Sequence, residues 1–136
     1  MSSEATNENL QIVLSKLMTD RYCSGEASDF DACIQNYVPH RSDHSHIEEY
    51  YHRKGMKQCE PYRDVLRRCM QDEKKQQVIF RQASAVPQCK AERNKLLQCQ
   101  RQKGRDCEQE ALETVYCGMI YLVQKRQQKI QQADAA

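Results

Sequence analysis

Eight cysteines stand at positions 23, 33, 59, 69, 89, 99, 107 and 117 of the 136-residue chain. Cysteine serves structural disulfides, thiol–disulfide catalysis, zinc coordination and soft-metal binding, and each use has its own spacing. A redox catalyst needs a close dithiol such as Cys-x-x-Cys or Cys-x-Cys, and neither occurs. Structural zinc favours cysteines two to four residues apart. Here the interval is ten residues, repeated four times: Cys23/Cys33, Cys59/Cys69, Cys89/Cys99 and Cys107/Cys117. Four Cys-x9-Cys pairs account for every cysteine.

Ten residues make nearly three turns of α-helix, a rise of about 15 Å. Two cysteines so spaced share a helix face but cannot bond each other, because a disulfide needs Cα atoms within about 7 Å. A second, antiparallel helix with the same spacing offers two cysteines at matching heights. That geometry selects Cys23–Cys69 with Cys33–Cys59, and Cys89–Cys117 with Cys99–Cys107. Nested crosslinks of this kind restrict the unfolded chain by about 3 kcal/mol each on the loop-entropy model.

Other candidate chemistry is thin. His40, His44, His46 and His52 all fall between the first two cysteine pairs, where His40 and His44 are four apart and Asp43 and Glu48 offer oxygens. The alternative to a metal site is a polar connection, residues 39–58, that docks on a partner through Tyr50 and Tyr51. With 4 glycines scattered along the chain, no phosphate-cradling loop can form. Serines, histidines and aspartates occur without a pattern that would place them on a rigid site. The expectation is a protein that is not an enzyme, with no catalytic residues, no resident metal and no cofactor.

The elements that carry the cysteines are helical. Seven residues after the first cysteine of each pair come Phe30, Leu66, Leu96 and Thr114, the last beside Val115; four after the second come Tyr37 and Tyr121. These offsets place the side chains in a seam with the sulfurs. Pro61 suits a first helical turn, and Pro87 can end the second helix and open the third. Gly104 can close the third helix. Asp106 with Gln109 reads as an N-cap and its reciprocal partner.

Composition explains why crosslinks are needed. Hydrophobic residues are 39%, aromatics 7%, Trp is absent and mean hydropathy is −0.92. Such a chain buries little apolar surface against its ordering entropy. A net charge of +2 does not demand a nucleic-acid partner, and no run approaches the roughly 20 apolar residues of a membrane span. Met1 to Asn9, with Glu4 and Glu8, looks like neither a secretory signal nor a matrix presequence.

On these residues the chain resembles the twin Cys-x9-Cys, or coiled-coil-helix-coiled-coil-helix, family of mitochondrial proteins. Cys23/Cys33/Cys59/Cys69 looks like one unit and Cys89/Cys99/Cys107/Cys117 a second, over roughly residues 20 to 121. The resemblance implies import without a presequence and oxidation by the disulfide relay of the intermembrane space. There a docking cysteine is presented beside a hydrophobic patch. Tyr62 with Leu66, or Tyr121, fits that role, and Phe30 and Leu96 stand with them as seam candidates. In motif count the chain is similar to duplicated four-pair members, among them an accessory subunit of respiratory complex I, though its 25-residue first connection is longer. Copper delivery in this family uses adjacent cysteines, which this chain lacks.

Four regions follow: an amphipathic segment 1–19, a first hairpin 20–86, a second hairpin 87–121 and a helical extension 122–136. Leu10, Val13, Leu14, Leu17 and Met18 give the first segment an apolar face expected to pack on the first hairpin. Residues 72–86 are expected to continue the second helix, with Val78, Ile79 and Phe80 either folded between the hairpins or exposed as a contact surface. Lys125, Arg126 and Lys129 make the tail basic, as a solvated helix end or as a contact with RNA or an acidic protein. The expected fold is all-α, two disulfide-stapled antiparallel hairpins with helical extensions. The expected function is an accessory subunit or assembly factor of a large respiratory-chain complex in the intermembrane space. The alternative is a mitochondrial ribosome subunit or assembly factor, with an RNA contact and a matrix location.

Overall fold

The computed structural model describes residues 3–39 and 46–135. Among them are seven α-helices, one 3-10 turn and no strand. The helices are α1 (Ser3–Arg21), α2 (Ser24–Tyr37), α3 (His46–Gln58), α4 (Glu60–Met70), α5 (Glu73–Ser84), α6 (Lys90–Gln100) and α7 (Glu108–Ala135), with the 3-10 turn at Pro87–Cys89 before α6. The chain is all-α and stapled by four disulfides. It divides into two compact units, Met18–Asp72 and a second made of Met1–Leu17 with Glu73–Ala136.

In the unit Met18–Asp72, α2 packs against both α3 and α4. Cys23–Cys69 and Cys33–Cys59 hold it, with Cα separations of 5.9 and 5.8 Å. The outer cysteine of one helix joins the outer of the other, so α2 and α4 run antiparallel. Thr19 Oγ1 donates to Met70 Sδ at 3.5 Å, fastening the end of α1 to the end of α4.

The connection between Cys33 and Cys59 departs from the expected polar loop, because most of it is helix α3. Gly55 explains how α3 reaches α2: a Cβ there would overlap the Tyr37 carbonyl, so only a glycine allows this approach. Helix α3 stops at Gln58 because Pro61 has no N–H to extend its ladder. The Cys59 N–H still bonds the Gly55 and Met56 carbonyls, both at 3.1 Å, and α4 starts from Cys59 with Pro61 in its first turn. His40, Asp43 and His44 lie outside the described residues.

Helix α4 does not run on through residues 72–86 as expected. It ends at Met70, and Asp72, a favoured helix-start residue, stands immediately before the separate helix α5. Moreover, α5 belongs to the other unit.

In that unit, α5 and α6 both pack on α7. Cys89–Cys117 and Cys99–Cys107, with Cα separations of 6.0 and 5.9 Å, make α6 and α7 an antiparallel hairpin. Ile79, Ala83, Val86 and Met119 are buried with the sulfurs of Cys89 and Cys99. The N-terminal helix corrects a second expectation. Residues through Leu17 group with this unit and not with the first hairpin, and Gln109 Nε2 of α7 donates to the buried Thr6 Oγ1 at 3.3 Å. An apolar stripe of Leu10, Leu14 and Leu17 demands burial without naming the surface that supplies it.

The turn between α6 and α7 differs in detail. Helix α6 closes at Gln100, and Gly104, at φ +80°, serves the turn beyond it and not the helix end itself. The Asp106 carboxylate accepts the Glu108 N–H at 3.0 Å, as a helix-start residue should. The reciprocal contact would need Gln109 Oε1 as acceptor, and that atom makes no hydrogen bond, while Gln109 Nε2 donates to Thr6 Oγ1 and, at 2.8 Å, to Glu113 Oε1.

Candidate functional site

The disulfides share one construction. Cys23, Cys59 and Cys89 occupy the N-cap positions of α2, α4 and α6, and Cys107 stands immediately before α7. Each bonds a cysteine inside the opposing helix: Cys69 in α4, Cys33 in α2, Cys117 in α7 and Cys99 in α6. The interval of ten therefore measures from a helix start to a point about three turns in. All eight cysteines are bonded.

Sequence reasoning missed three carboxylates in this construction. Glu26, Glu92 and Glu110 are each the third residue of their helix, three after Cys23, Cys89 and Cys107. Each offers an oxygen within 4.8 Å of both sulfurs of its bridge. A carboxylate in the first turn is favoured by the partial positive charge of the helix start. The signal was the thrice-repeated Cys-x-x-Glu; at Cys59 the position is Tyr62. Two sulfurs and a carboxylate resemble a metal-ligand set in composition, but sulfurs bonded to each other offer no thiolate.

The seam candidates separate by exposure. Phe30, Leu66 and Leu96 are half-buried, as is Tyr121, whose hydroxyl accepts from Gln88 Nε2 at 3.1 Å. Tyr62 instead stands 47% exposed on α4, with Val65 at 49%. Tyr37, expected in the seam, is also exposed, at the end of α2. Thr114 is buried and its hydroxyl donates to the Glu110 carbonyl at 2.8 Å.

The candidate contact residues divide in the same way. Tyr50 and Tyr51 lie exposed on α3, their rings edge to face with centroids 5.5 Å apart. Tyr51 and Tyr37 line a hollow of about 500 Å³ with Asn36, Pro39, Lys54 and Gln58. Ile79 is fully buried, so it is a core residue and not a contact residue, while Val78 and Phe80 beside it are half-buried. Lys125, Arg126 and Lys129 are exposed on the last turns of α7, together with Ile130. No helix among the described residues is long and apolar enough to cross a membrane. No family model, curated protein or solved structure matches this chain.

Proposed function

We propose that this chain is a non-catalytic docking protein of the mitochondrial intermembrane space, an accessory subunit or assembly factor of a large respiratory-chain complex. The observation that carries the proposal is the complete use of eight cysteines in four interhelical bridges. Such bridges form and persist in oxidising compartments. They also leave no thiol for chemistry, so the contribution of the molecule lies in what its rigid helices display. On α3 and α4 that is Tyr50, Tyr51 and Tyr62, aromatic side chains of the kind enriched in protein interfaces.

One observation favours a second reading, a subunit or assembly factor of the mitochondrial ribosome. From Thr114 to Ala133 the sequence has no acidic residue, and Lys125, Arg126 and Lys129 stand exposed in this stretch. A cationic helix end of that kind suits phosphates.

Gradient sedimentation and native electrophoresis of detergent-solubilised mitochondria, following the tagged full chain, separate the two. Co-migration with a respiratory complex is expected, unchanged by ribonuclease. Co-sedimentation with ribosomal RNA, lost as salt rises, would replace the first reading with the second. A chain found only as a free monomer would overturn both.

A further inference from the structure

The carboxylates of the Cys-x-x-Glu repeat follow the exposure of the bridges. In Cys23–Cys69, Cys89–Cys117 and Cys99–Cys107 one cysteine is buried and the other half-buried, and these bridges have Glu26, Glu92 and Glu110 beside them. In Cys33–Cys59 both cysteines are buried, and no carboxylate among the described residues joins the two sulfurs. A favourable helix start does not account for this pattern. Helix α4 also begins with an acid, Glu60, but at its first position, and Tyr62 takes the third. Glu26 moreover keeps Oε2 buried without a hydrogen bond, an arrangement that costs stability. The Glu110 charge is offset by Arg105 at 3.3 Å. Glu26 and Glu92 have no such cation among the described residues.

We propose that Glu26 and Glu92 are electrostatic shields, protecting Cys23–Cys69 and Cys89–Cys117 from anionic small thiols. Opening a bridge takes attack of a thiolate on one of its sulfurs. A new S–S bond forms to Cys69 or Cys117, the half-buried member of each pair. The old S–S bond breaks, and its electron pair leaves on Cys23 or Cys89, which then takes a proton from solvent. Negative charge is therefore brought to the bridge and spread over three sulfurs.

The carboxylate opposes that charge at each of them. One of its oxygens lies within 4.8 Å of both protein sulfurs. Since an S–S bond measures about 2 Å, the attacking sulfur comes within about 7 Å of that oxygen from any direction of approach. Repulsion at this distance slows attack roughly threefold in a water-like dielectric, and more in a partly buried site. The helix start acts in the opposite sense, because helix N-termini favour thiolates. Cys23 and Cys89 stand at the N-caps of α2 and α6, and the carboxylate in the same turn opposes this activation. Cys33–Cys59 is protected by burial instead.

The test is the rate at which each bridge opens in the oxidised full chain, read by acid quenching, alkylation and peptide mapping. Glutathione supplies an anionic thiolate, and cysteamine one whose charge is balanced by its ammonium group, each at equal thiolate concentration. In Glu26→Gln, glutathione should open Cys23–Cys69 at least about threefold faster than in the parent at about 0.01 M salt, with Cys89–Cys117 unchanged. Glu92→Gln should give the converse. The acceleration should be smaller with cysteamine and fade near about 1 M salt. Rates unchanged by the substitutions, or acceleration at the wrong bridge, would overturn the shield. Equal acceleration with both thiols at both salt concentrations would overturn it as well, by showing that the carboxylate only holds its helix start closed.

Discussion

Gly118 of α7 lies directly against the carbonyl of Ala83 in α5, so close that a Cβ at 118 would overlap that backbone. Two helices can approach so nearly only where one carries no side chain. Gly118→Ala should therefore force the helices apart. The gain in helix propensity, about 1 kcal/mol, is outweighed by overpacking, and a net loss of about 1–3 kcal/mol is expected in urea unfolding. Gly25→Ala is the control. It sits exposed in the first turn of α2 with nothing within 4 Å of the added Cβ, so a gain of about 0.4–1 kcal/mol is expected. Equal effects at the two positions would contradict the close approach.

The disulfides should differ in worth by loop length. On the loop-entropy model the 46-residue closure of Cys23–Cys69 contributes about 4 kcal/mol and the 8-residue closure of Cys99–Cys107 about 2.5 kcal/mol. Removing each bridge by double Cys→Ser substitution should lower stability in that order, read from urea midpoints with the slope unchanged. The reverse order would mean that native contacts around the Cys99–Cys107 turn, and not the unfolded chain, set its contribution. Full reduction should remove cooperative helix melting altogether, since little core remains to replace four crosslinks.

The staples were legible in the sequence because a covalent requirement is stricter than a packing preference. Ten residues fix helix register, and an antiparallel partner then leaves one geometric pairing for each hairpin. Helix α3 was not legible. Its sequence, HIEEYYHRKGMKQ, is polar with an interior glycine, and that glycine lowers helix propensity unless a neighbour's backbone needs the space. Gly55 is such a case, and Tyr37 lies 18 positions away in the chain. Among candidate contact residues, Tyr50 and Tyr51 stayed on the surface while Ile79 went inside. Three adjacent apolar residues on a helix point in different directions, so the run Val78-Ile79-Phe80 could not share one fate.

Helix α1 gives a prediction about which unit it supports. Leu10 and Leu14 are buried, and the helix through Leu17 groups with Glu73–Ala136. Leu14→Ala should cost about 2–5 kcal/mol, and the cost should be local. Hydrogen exchange is expected to quicken in α5, α6 and α7 while α2 and α4 keep their protection. Loss of protection in α2 and α4 alone would place the support on the first hairpin.

The exposed tyrosines allow stability and association to be pulled apart. Tyr50 and Tyr51 touch each other edge to face and are more than half exposed. Replacing both with serine removes an aromatic pair worth about 0.5–1.5 kcal/mol at most, and less at an exposed site. The isolated protein should thus unfold within about 1 kcal/mol of the parent. If the pair docks the protein, the same variant should fall out of its large complex in native electrophoresis. Substitution of Lys125, Arg126 and Lys129 by glutamine is the matched comparison, since these side chains are also exposed. Loss of co-migration in the tyrosine variant alone assigns docking to α3, and loss in the lysine–arginine variant alone assigns it to the end of α7. Retention in both would exclude either surface, because neither change disturbs the buried frame that holds the helices in place.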